Sequence, residues 1–335
     1  MPFTRFAPGP GLGLAPLVLA TIALATITAA PASAQPGQWP ERQVRMIVPL
    51  GAGGPADIVG RWLALQLGER FKQSFFIENR PGASGIIGTA EAAKAAPDGY
   101  TLLVVASPHV NLEILSTNRP YVLMRDFTTV SIAFSTDAVM VVNPKVAAKT
   151  VAEFIALAKA KPGALTFASS GPGSNKHLGG ELFKLMTGTN ILHVAYKGST
   201  QARNDIIGGH VDMMFDEVPS VAPNVLAGQV RALGVTGAKR SSALPDVPTV
   251  SEAGVPGYEH TGWFGIMVPV GTPKPIIDLL NTEIRALVAK PETKAYWEKL
   301  GTQTMSMTPA ESEAFLRAEI EKWTKVVKAA NIKLE

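Results

Sequence analysis

Residues 44–71 have the sequence VRMIVPLGAGGPADIVGRWLALQLGERF, in which a short apolar run, a glycine-rich turn and a periodic stretch follow one another. The run Val44–Pro49 predicts a buried strand. The apolar side chains between Ile58 and Leu67 recur at the spacing of an α-helix, which we expect from about Pro55 to Phe71. A strand that turns tightly into a helix is the repeating unit of α/β folds, so this stretch already indicates the fold class.

The alternation of strands and helices continues to the C-terminus. Further strands are predicted at residues 75–77, 101–106, 139–142, 165–169, 191–195, 211–215 and 230–235, and further helices at residues 86–96, 151–161, 174–187, 201–207 and 309–330. Thr150, Thr249 and Thr308 each precede a Glu by three positions, a capping-box pattern that predicts a helix start. Alternating strands and helices indicate an α/β chain with mainly parallel sheets that are covered on both faces.

Composition excludes several classes of protein. The chain has 335 residues and no cysteine, which excludes disulfide scaffolds, thiolate zinc sites, iron–sulfur clusters, cysteine nucleophiles and a lipid-anchored cysteine. Lys and Arg number 31 against 27 Asp and Glu, and this small excess is too diffuse to favour a nucleic-acid partner. The five histidines are scattered without metal-binding spacing, so we expect no metal and no cofactor.

The first 34 residues have the pattern of a targeting sequence, which we expect not to be part of the folded protein. Arg5 precedes an uncharged run from Gly11 to Ala30, and Ala32-Ser33-Ala34 forms an A-x-A cleavage site. This pattern is typical of a secretory signal peptide. The alternative is a retained membrane anchor, because the run is just long enough to span a bilayer. We expect cleavage near Ala34 and a soluble, exported product.

The glycine-rich turn of the first unit is a candidate anion site. Gly53, Gly54, Pro55 and Ala56 lead into a helix whose first turn carries Asp57, so backbone N–H groups are exposed at a helix N-terminus. The pattern also imitates a dinucleotide fingerprint, and it is equally compatible with a plain strand–helix turn. NAD is seldom available to an exported protein, and this disfavours the dinucleotide-binding interpretation.

A second loop of the same kind follows the strand at residues 165–169. Ser169, Ser170, Gly171 and Ser174 bring hydroxyls and free N–H groups to the start of a helix, where they predict either an anion site or a simple cap. His177 lies one turn further on, so a hydrolase that uses Ser169, Ser170 or Ser174 with His177 is the alternative. The chain lacks a G-x-S-x-G elbow, and no acid partner for His177 can be identified.

Two further strand ends carry polar side chains. Tyr196, Lys197 and Gly198 end one strand, where a hydroxyl and an ammonium could contact a carboxylate or only form a solvated loop. Asp216 ends the strand at residues 211–215, where it could bind a ligand group or cap the next helix. Ligands of open α/β sheets bind at the carboxyl ends of the strands, which is where these residues lie.

Taken together, the motifs resemble one family, the Bug/TctC-like solute-binding proteins of tripartite tricarboxylate transporters. The resemblance extends over residues 39–335 and rests on IVPLGAGGPADIVGR (47–61), IENRPGASGIIG (77–88), APDGYTLLV (96–104), FASSGPGSNKHLGGELF (167–183), HVAYKG (193–198), GGHVDMMFD (208–216), RALGVTGAKRSSALPDVPTVSEAGVPGY (231–258) and PVGTPKP (269–275). Relatives often carry a hydroxyl before the loop aspartate, whereas this chain has Pro55-Ala56.

The resemblance implies a type II periplasmic binding protein, in which two α/β lobes are joined by two crossover strands. The crossings should lie near residues 137–142 and 260–265, which gives one lobe of residues 39–138 plus 262–335 and a second of residues 139–261. It also implies a monomer without enzymatic activity that binds a small carboxylate between its lobes and delivers it to membrane subunits of a transporter. By position, the ligand-binding role maps onto Gly53, Gly54, Pro55, Ala56, Asp57, Ser107, Ser169, Ser170, Gly171, Ser174, Tyr196, Lys197, Gly198 and Asp216.

Overall fold

The strand–turn–helix unit at residues 44–71 forms as predicted in the computed structural model, which describes residues 39–329 and residue 332. The predicted signal peptide lies outside these residues. The strands are β1 Val44–Val48, β2 Phe75–Asn79, β3 Thr101–Ala106, β4 Phe127–Val142, β5 Thr166–Ser169, β6 Leu192–Ala195, β7 Met213–Glu217, β8 Arg231–Val235, β9 Thr261–Pro269 and β10 Thr302–Thr304. The helices are α1 Pro55–Phe71, α2 Ile86–Ala93, α3 Ser107–Leu115, α4 Leu123–Asp126, α5 Val151–Ala160, α6 Asn175–Thr187, α7 Ser199–Gly208, α8 Val218–Leu226, α9 Lys274–Ala289, α10 Pro291–Lys299 and α11 Pro309–Ala329.

Two sheets share the long strand β4. The first sheet has the order β2-β1-β3-β9-β4, with β10 on the free edge of β4, and the second has the order β8-β4-β7-β5-β6. β4 pairs with β9 as far as Asp137 and with β7 and β8 from Ala138 onwards, so one continuous strand belongs to both sheets. We call the layers built on these sheets the first lobe and the second lobe.

Three neighbouring strands in each sheet run parallel, as predicted. β2, β1 and β3 are parallel neighbours in the first sheet, and β6, β5 and β7 are parallel neighbours in the second. The pairs that involve β4 and β9 are antiparallel. β4 carries the chain from the first sheet into the second, and β9 pairs within the first sheet after the chain returns from β8. The predicted two-lobed α/β fold is therefore confirmed, with antiparallel strands added at its centre.

Apolar side chains cover both sheets. Leu63 of α1, Leu280 of α9 and Trp297 of α10 are buried against one face of the first sheet. Ala202 of α7 and Val221 of α8 are buried on the second sheet. Each buried Leu or Val side chain contributes roughly 1.5–3 kcal/mol by leaving water, so these faces fix the helices on the sheets. Within the described residues, no helix is both long and apolar enough to cross a membrane.

Two of the three predicted capping boxes start helices. Thr150 and Thr308 accept hydrogen bonds from the backbone of Glu153 and Glu311 at the beginnings of α5 and α11. The prediction at Thr249 is wrong. Its reciprocal hydrogen bonds with Glu252 form at 3.0 and 2.9 Å, but the chain continues as turns, because Gly254 has a φ of 125° and a proline follows two positions later.

Candidate functional site

The carboxyl ends of the parallel strands of both sheets converge on one cleft. A cavity of about 850 Å³ lies there, and the turns after β1, β3, β5, β6 and β7 form its walls. In open α/β folds this edge of the sheet carries the ligand site. The cavity is therefore the candidate binding site of the protein.

Ten of the fourteen residues predicted from the sequence line this cavity. They are Gly54, Pro55, Ala56, Ser107, Ser170, Gly171, Ser174, Tyr196, Lys197 and Gly198. The other four, Gly53, Asp57, Ser169 and Asp216, are not among its lining residues. Each of the three polar side chains among these four is engaged in hydrogen bonds inside the fold.

Asp57 stabilises the first loop through hydrogen bonds on the side away from the cavity lining. Its carboxylate accepts hydrogen bonds of 2.9 Å each from the backbone of Gly53, from Arg61 and from Asn79. Burial alone would raise the pKa of Asp57, but these hydrogen bonds hold the pKa below its usual range. Gly54, the N-cap residue of α1, has no side chain to cap the helix, so this helix start remains open toward the cavity.

Ser107 is the first residue of α3 and lies between the two lobes' loops. The side chain is buried and lines the cavity, and its hydroxyl forms no hydrogen bond within residues 39–329. A hydroxyl in this position can donate to a ligand oxygen or accept from a ligand donor.

In the second predicted loop, two of the three serine hydroxyls already form hydrogen bonds within the fold. Ser174 caps α6, since its Oγ accepts a hydrogen bond of 3.3 Å from the backbone of His177. Ser169 Oγ lies 2.6 Å from Nε2 of His193 and also bonds to the backbone of Gly171. Ser170 differs, because it lines the cavity and its hydroxyl has no partner in the described part of the chain.

The geometry does not support the hydrolase alternative. Nδ1 of His177 accepts a hydrogen bond of 3.1 Å from the backbone of Gly173, so the ring is committed to the loop and not to a serine hydroxyl. The rings of His177 and His193 stack with their centres 4.0 Å apart. Burial, reinforced by nearby positive charge, lowers the pKa of each to about 4. Both imidazoles are therefore neutral near pH 7 and serve the packing of the loop.

The third predicted loop provides the open helix start of the second lobe. The hydroxyl of Tyr196 donates to Asp205 at 2.7 Å, so Tyr196 presents its ring rather than its hydroxyl to the cavity. Burial and the Asp205 carboxylate raise the pKa of Tyr196 to about 12. Gly198, the N-cap residue of α7, provides no side-chain cap, and exposed Lys197 stands beside it.

Asp216 belongs to a group of ion-paired side chains in the second lobe and does not line the cavity. The carboxylate of Asp216 lies 2.6 Å from Arg203 and 3.2 Å from Lys176, and it also accepts a hydrogen bond from the backbone of Glu217. Lys176 and Glu217 are both buried, and they form an ion pair in the wall of the cavity. Burial lowers the pKa of Lys176, against the opposing effect of Asp216.

Sequence reasoning missed several lining residues of both lobes. They are Pro49, Leu50, Gly51, Ala52, Pro81, Gly82, Ala83, Ser84, Gly85, Ala106, Pro108, Pro172, Asn175, Lys176, Ser199, Thr200, Gln201, Glu217, Gly262 and Phe264. Lys176 and Glu217 directly follow predicted positions, so extending each motif by one or two residues would have found them. The turn at residues 81–85 was not assigned to the site, although Gly82, Ser84 and Gly85 are of the same residue types as those in the two predicted loops. Within residues 39–329 and 332, no group of three or more His, Asp or Glu side chains is arranged to hold a metal ion.

Comparison with known proteins gives a consistent family. Residues 59–332 match the family described as the tripartite tricarboxylate transporter family receptor. Protein BugT of Bordetella pertussis is 38% identical over 301 residues, which cover 89% of this chain and 92% of BugT. A structure of Rpa4515 from R. palustris with adipate superposes with a TM-score of 0.84 at 37% identity and covers 88% of this chain and 99% of that one. MatC from Rhodopseudomonas palustris, with bound malate, gives a TM-score of 0.80 at 28% identity and covers 86% and 100%.

Proposed function

This chain belongs to the tripartite tricarboxylate transporter receptor family, and we propose that it captures a small organic carboxylate in the cleft between its two lobes. The bound solute is then delivered to the membrane subunits of a transporter. The proposal includes reversible binding without chemical conversion of the solute.

The observation that carries the proposal is a pair of helix starts without side-chain caps, one in each lobe. Gly54 is the N-cap residue of α1 and Gly198 is the N-cap residue of α7, and both line the same cavity. Unpaired N–H groups at a helix N-terminus, together with the positive end of its dipole, attract a carboxylate. The hydroxyls of Ser107 and Ser170, which have no hydrogen-bond partner among the described residues, add neutral donors beside them.

The relatives support the same class of ligand. Rpa4515 was solved with adipate and MatC with malate, and both ligands are small carboxylates. A ligand that contacts both lobes favours the closed arrangement over an open one, since only the closed arrangement satisfies both sets of contacts. Closure also removes water, which strengthens each charge-assisted hydrogen bond.

The remaining features of the proposal concern the whole protein. Residues 39–138 with 262–335 form one lobe and residues 139–261 the other, which is supported by the change of partner of β4 between Asp137 and Ala138. The protein acts as a monomer in the periplasm after cleavage near Ala34. Gly53, Asp57, Ser169 and Asp216 belong to the site as groups that hold its loops, and the other ten predicted residues contact the ligand.

Thermal unfolding in the presence of a carboxylate panel tests the proposal. The protein is first unfolded, washed and refolded so that it starts without a co-purified solute. A carboxylate at about 100 times its Kd should raise the free energy of unfolding by about 2.7 kcal/mol. The matched control is the primary amide of each acid, which keeps the shape and removes the charge. The proposal fails if no carboxylate raises the midpoint more than its amide does.

A further inference from the structure

Lys176 and Glu217 form a buried ion pair that faces the cavity from the second lobe. The exposed fraction of Lys176 is 3% and that of Glu217 is 9%, and both residues line the cavity. Asn175 lines the cavity next to Lys176 in the chain, and exposed Lys197 lines it beside the open start of α7. The pair is therefore the buried charged element that a ligand in this part of the cleft would meet.

The pair belongs to a group of four charges that balance one another. Asp216 bridges Arg203 at 2.6 Å and Lys176 at 3.2 Å, and Lys176 is paired in turn with Glu217. Two cations and two carboxylates leave this buried group with no net charge, and exposed Lys197 is a separate cation in the lining of the same lobe. A ligand carboxylate placed against the group itself would face Glu217 without a surplus cation within the group, and a ligand ammonium would face Lys176 in the same way.

The hydrogen-bonding capacity of the pair is only partly used. Oε2 of Glu217 accepts from Lys176, whereas Oε1 has no donor in the part of the chain that the structure describes. The ammonium of Lys176 has three protons, and Glu217 and Asp216 account for two of them. The wall therefore offers one acceptor and one donor side by side.

A hydroxyl group matches this combination, because it donates one hydrogen bond and accepts another without carrying a charge. An ammonium only donates and a carboxylate only accepts, so each would leave one half of the pair unsatisfied. A methylene group would satisfy neither half. Sites built to bond a ligand hydroxyl discriminate strongly against analogues that lack it.

We propose that Lys176 and Glu217 select hydroxy acids, with the ligand hydroxyl donating to Glu217 and accepting from Lys176. This inference rests on the proposed function, since the carboxylate of the same ligand occupies the open helix starts of α1 and α7. It assigns the ion pair to the recognition of a neutral group rather than to the binding of a carboxylate.

Matched acids that differ by one substituent test the inference on the unaltered protein. Isothermal titration compares propionate with lactate and alanine, succinate with malate and aspartate, and glutarate with 2-hydroxyglutarate and glutamate. The hydroxylated member of the best-binding set should have a Kd at least about tenfold lower than either partner, the effect of one unpaired buried polar group. Equal affinities within each set overturn the inference but leave the proposed function intact. Preference for the amino acid overturns it in favour of an ammonium site, and failure of every acid to bind overturns the proposed function itself.

Glu217→Gln separates the role of the pair from that of the rest of the cleft. The variant leaves the wall with one uncompensated cation, so the preference for the hydroxy acid should fall to about twofold or less while the unsubstituted dicarboxylate gains affinity. Glu252→Gln is the matched control, because Glu252 is ion-paired with Arg240 and does not line the cavity. An unchanged preference in folded Glu217→Gln protein overturns the inference, and the comparison of acids on the unaltered protein decides the matter if this variant does not fold.

Discussion

The side-chain amide of Asn111 donates a hydrogen bond of 3.0 Å to the carbonyl oxygen of Gly173. Asn111 lies in α3, which follows β3 of the first sheet, and Gly173 lies in the turn that follows β5 of the second sheet. Ser84 makes a second contact to the same turn, with its hydroxyl 3.3 Å from the carbonyl oxygen of Pro172. The turn at residues 171–173 is therefore held from the side of the first lobe at two points, one buried and one exposed.

Replacing Asn111 by Leu should weaken ligand binding. The variant keeps the volume of the side chain but removes the donor, and it leaves the buried carbonyl of Gly173 unpaired at a cost of roughly 1–3 kcal/mol. Because the bond joins the two lobes, part of this cost should reduce the affinity for a bound carboxylate, which isothermal titration measures. The control is Asn224→Ala, which removes an exposed hydrogen bond from Asn224 of α8 to Gln229. Equal affinities of the two variants would contradict the prediction.

Ser170→Ala should lower affinity without lowering stability. The hydroxyl of Ser170 lines the cavity and has no partner among the described residues, so its removal costs the ligand-free protein little. The ligand group that it would satisfy loses its partner, at roughly 1–3 kcal/mol.

Ser169→Ala is the comparison, because the two residues are adjacent and their hydroxyls differ in what they contact. Ser169 bonds to His193 and Gly171 inside the fold, so this variant should lower the midpoint of thermal unfolding of the ligand-free protein. Calorimetry and titration of both variants check the contrast. A loss of stability rather than affinity in Ser170→Ala would remove Ser170 from the ligand contacts.

Gly53→Ala should destabilise the protein, whereas Gly51→Ala should not. A Cβ at either position meets nothing within 4 Å, so neither substitution causes a clash. Gly53 has a φ of 73°, which costs an L-residue roughly 1–2 kcal/mol, and Gly51 does not adopt such a conformation. Denaturant unfolding measures the difference between the two variants. If the two free energies of unfolding agree, the turn adjusts its backbone and the strain argument is wrong.

The fold was largely predictable from the sequence, because the parallel strands are short, mostly apolar runs, and three of them, β1, β2 and β5, end in turns that contain several glycines. The strand β4 was predicted only over its last four residues, since Thr128, Thr129 and Ser131 interrupt its apolar pattern. The strand accommodates these hydroxyl residues because this part of β4 is hydrogen-bonded to the neighbouring strand β9. Local periodicity alone does not reveal such a strand.

The site was predictable at the level of loops and less so at the level of side chains. Gly54, Ser107 and Gly198 line the cavity, because each lies in a turn or helix start that follows the end of a strand. Asp57 and Asp216 are engaged inside the fold instead, by local partners and by Asn79 and Arg203 respectively, which are distant in sequence. The distant partners help to decide whether a polar side chain faces a ligand or the fold, and no local pattern contains them.

Acidification should destabilise the protein through His177. Burial, aided by Lys184, lowers the pKa of this imidazole from 6.5 to about 4, so the folded chain stays unprotonated where the unfolded chain takes up a proton. Stability from this group is complete above about pH 6.5 and is lost as the pH falls toward 4, with a slope of at most about 1.4 kcal/mol per pH unit. Protonation at Nδ1 would also remove the acceptor for the Gly173 N–H.

His177→Gln keeps an acceptor for Gly173 but does not titrate, so its free energy of unfolding should change less steeply between pH 6.5 and 4. Other buried groups contribute to the absolute slope. His193 acts in the same direction, whereas Asp137, whose pKa burial and Glu259 raise to about 6, loses stability as the pH rises through that range. The difference between variants removes the contribution of Asp137, whereas His193, which stacks on His177, changes together with it. His210→Gln, which removes a histidine at an exposed position, is the control variant. Parallel pH profiles for His177→Gln and His210→Gln would show that His177 takes up its proton without cost to the fold.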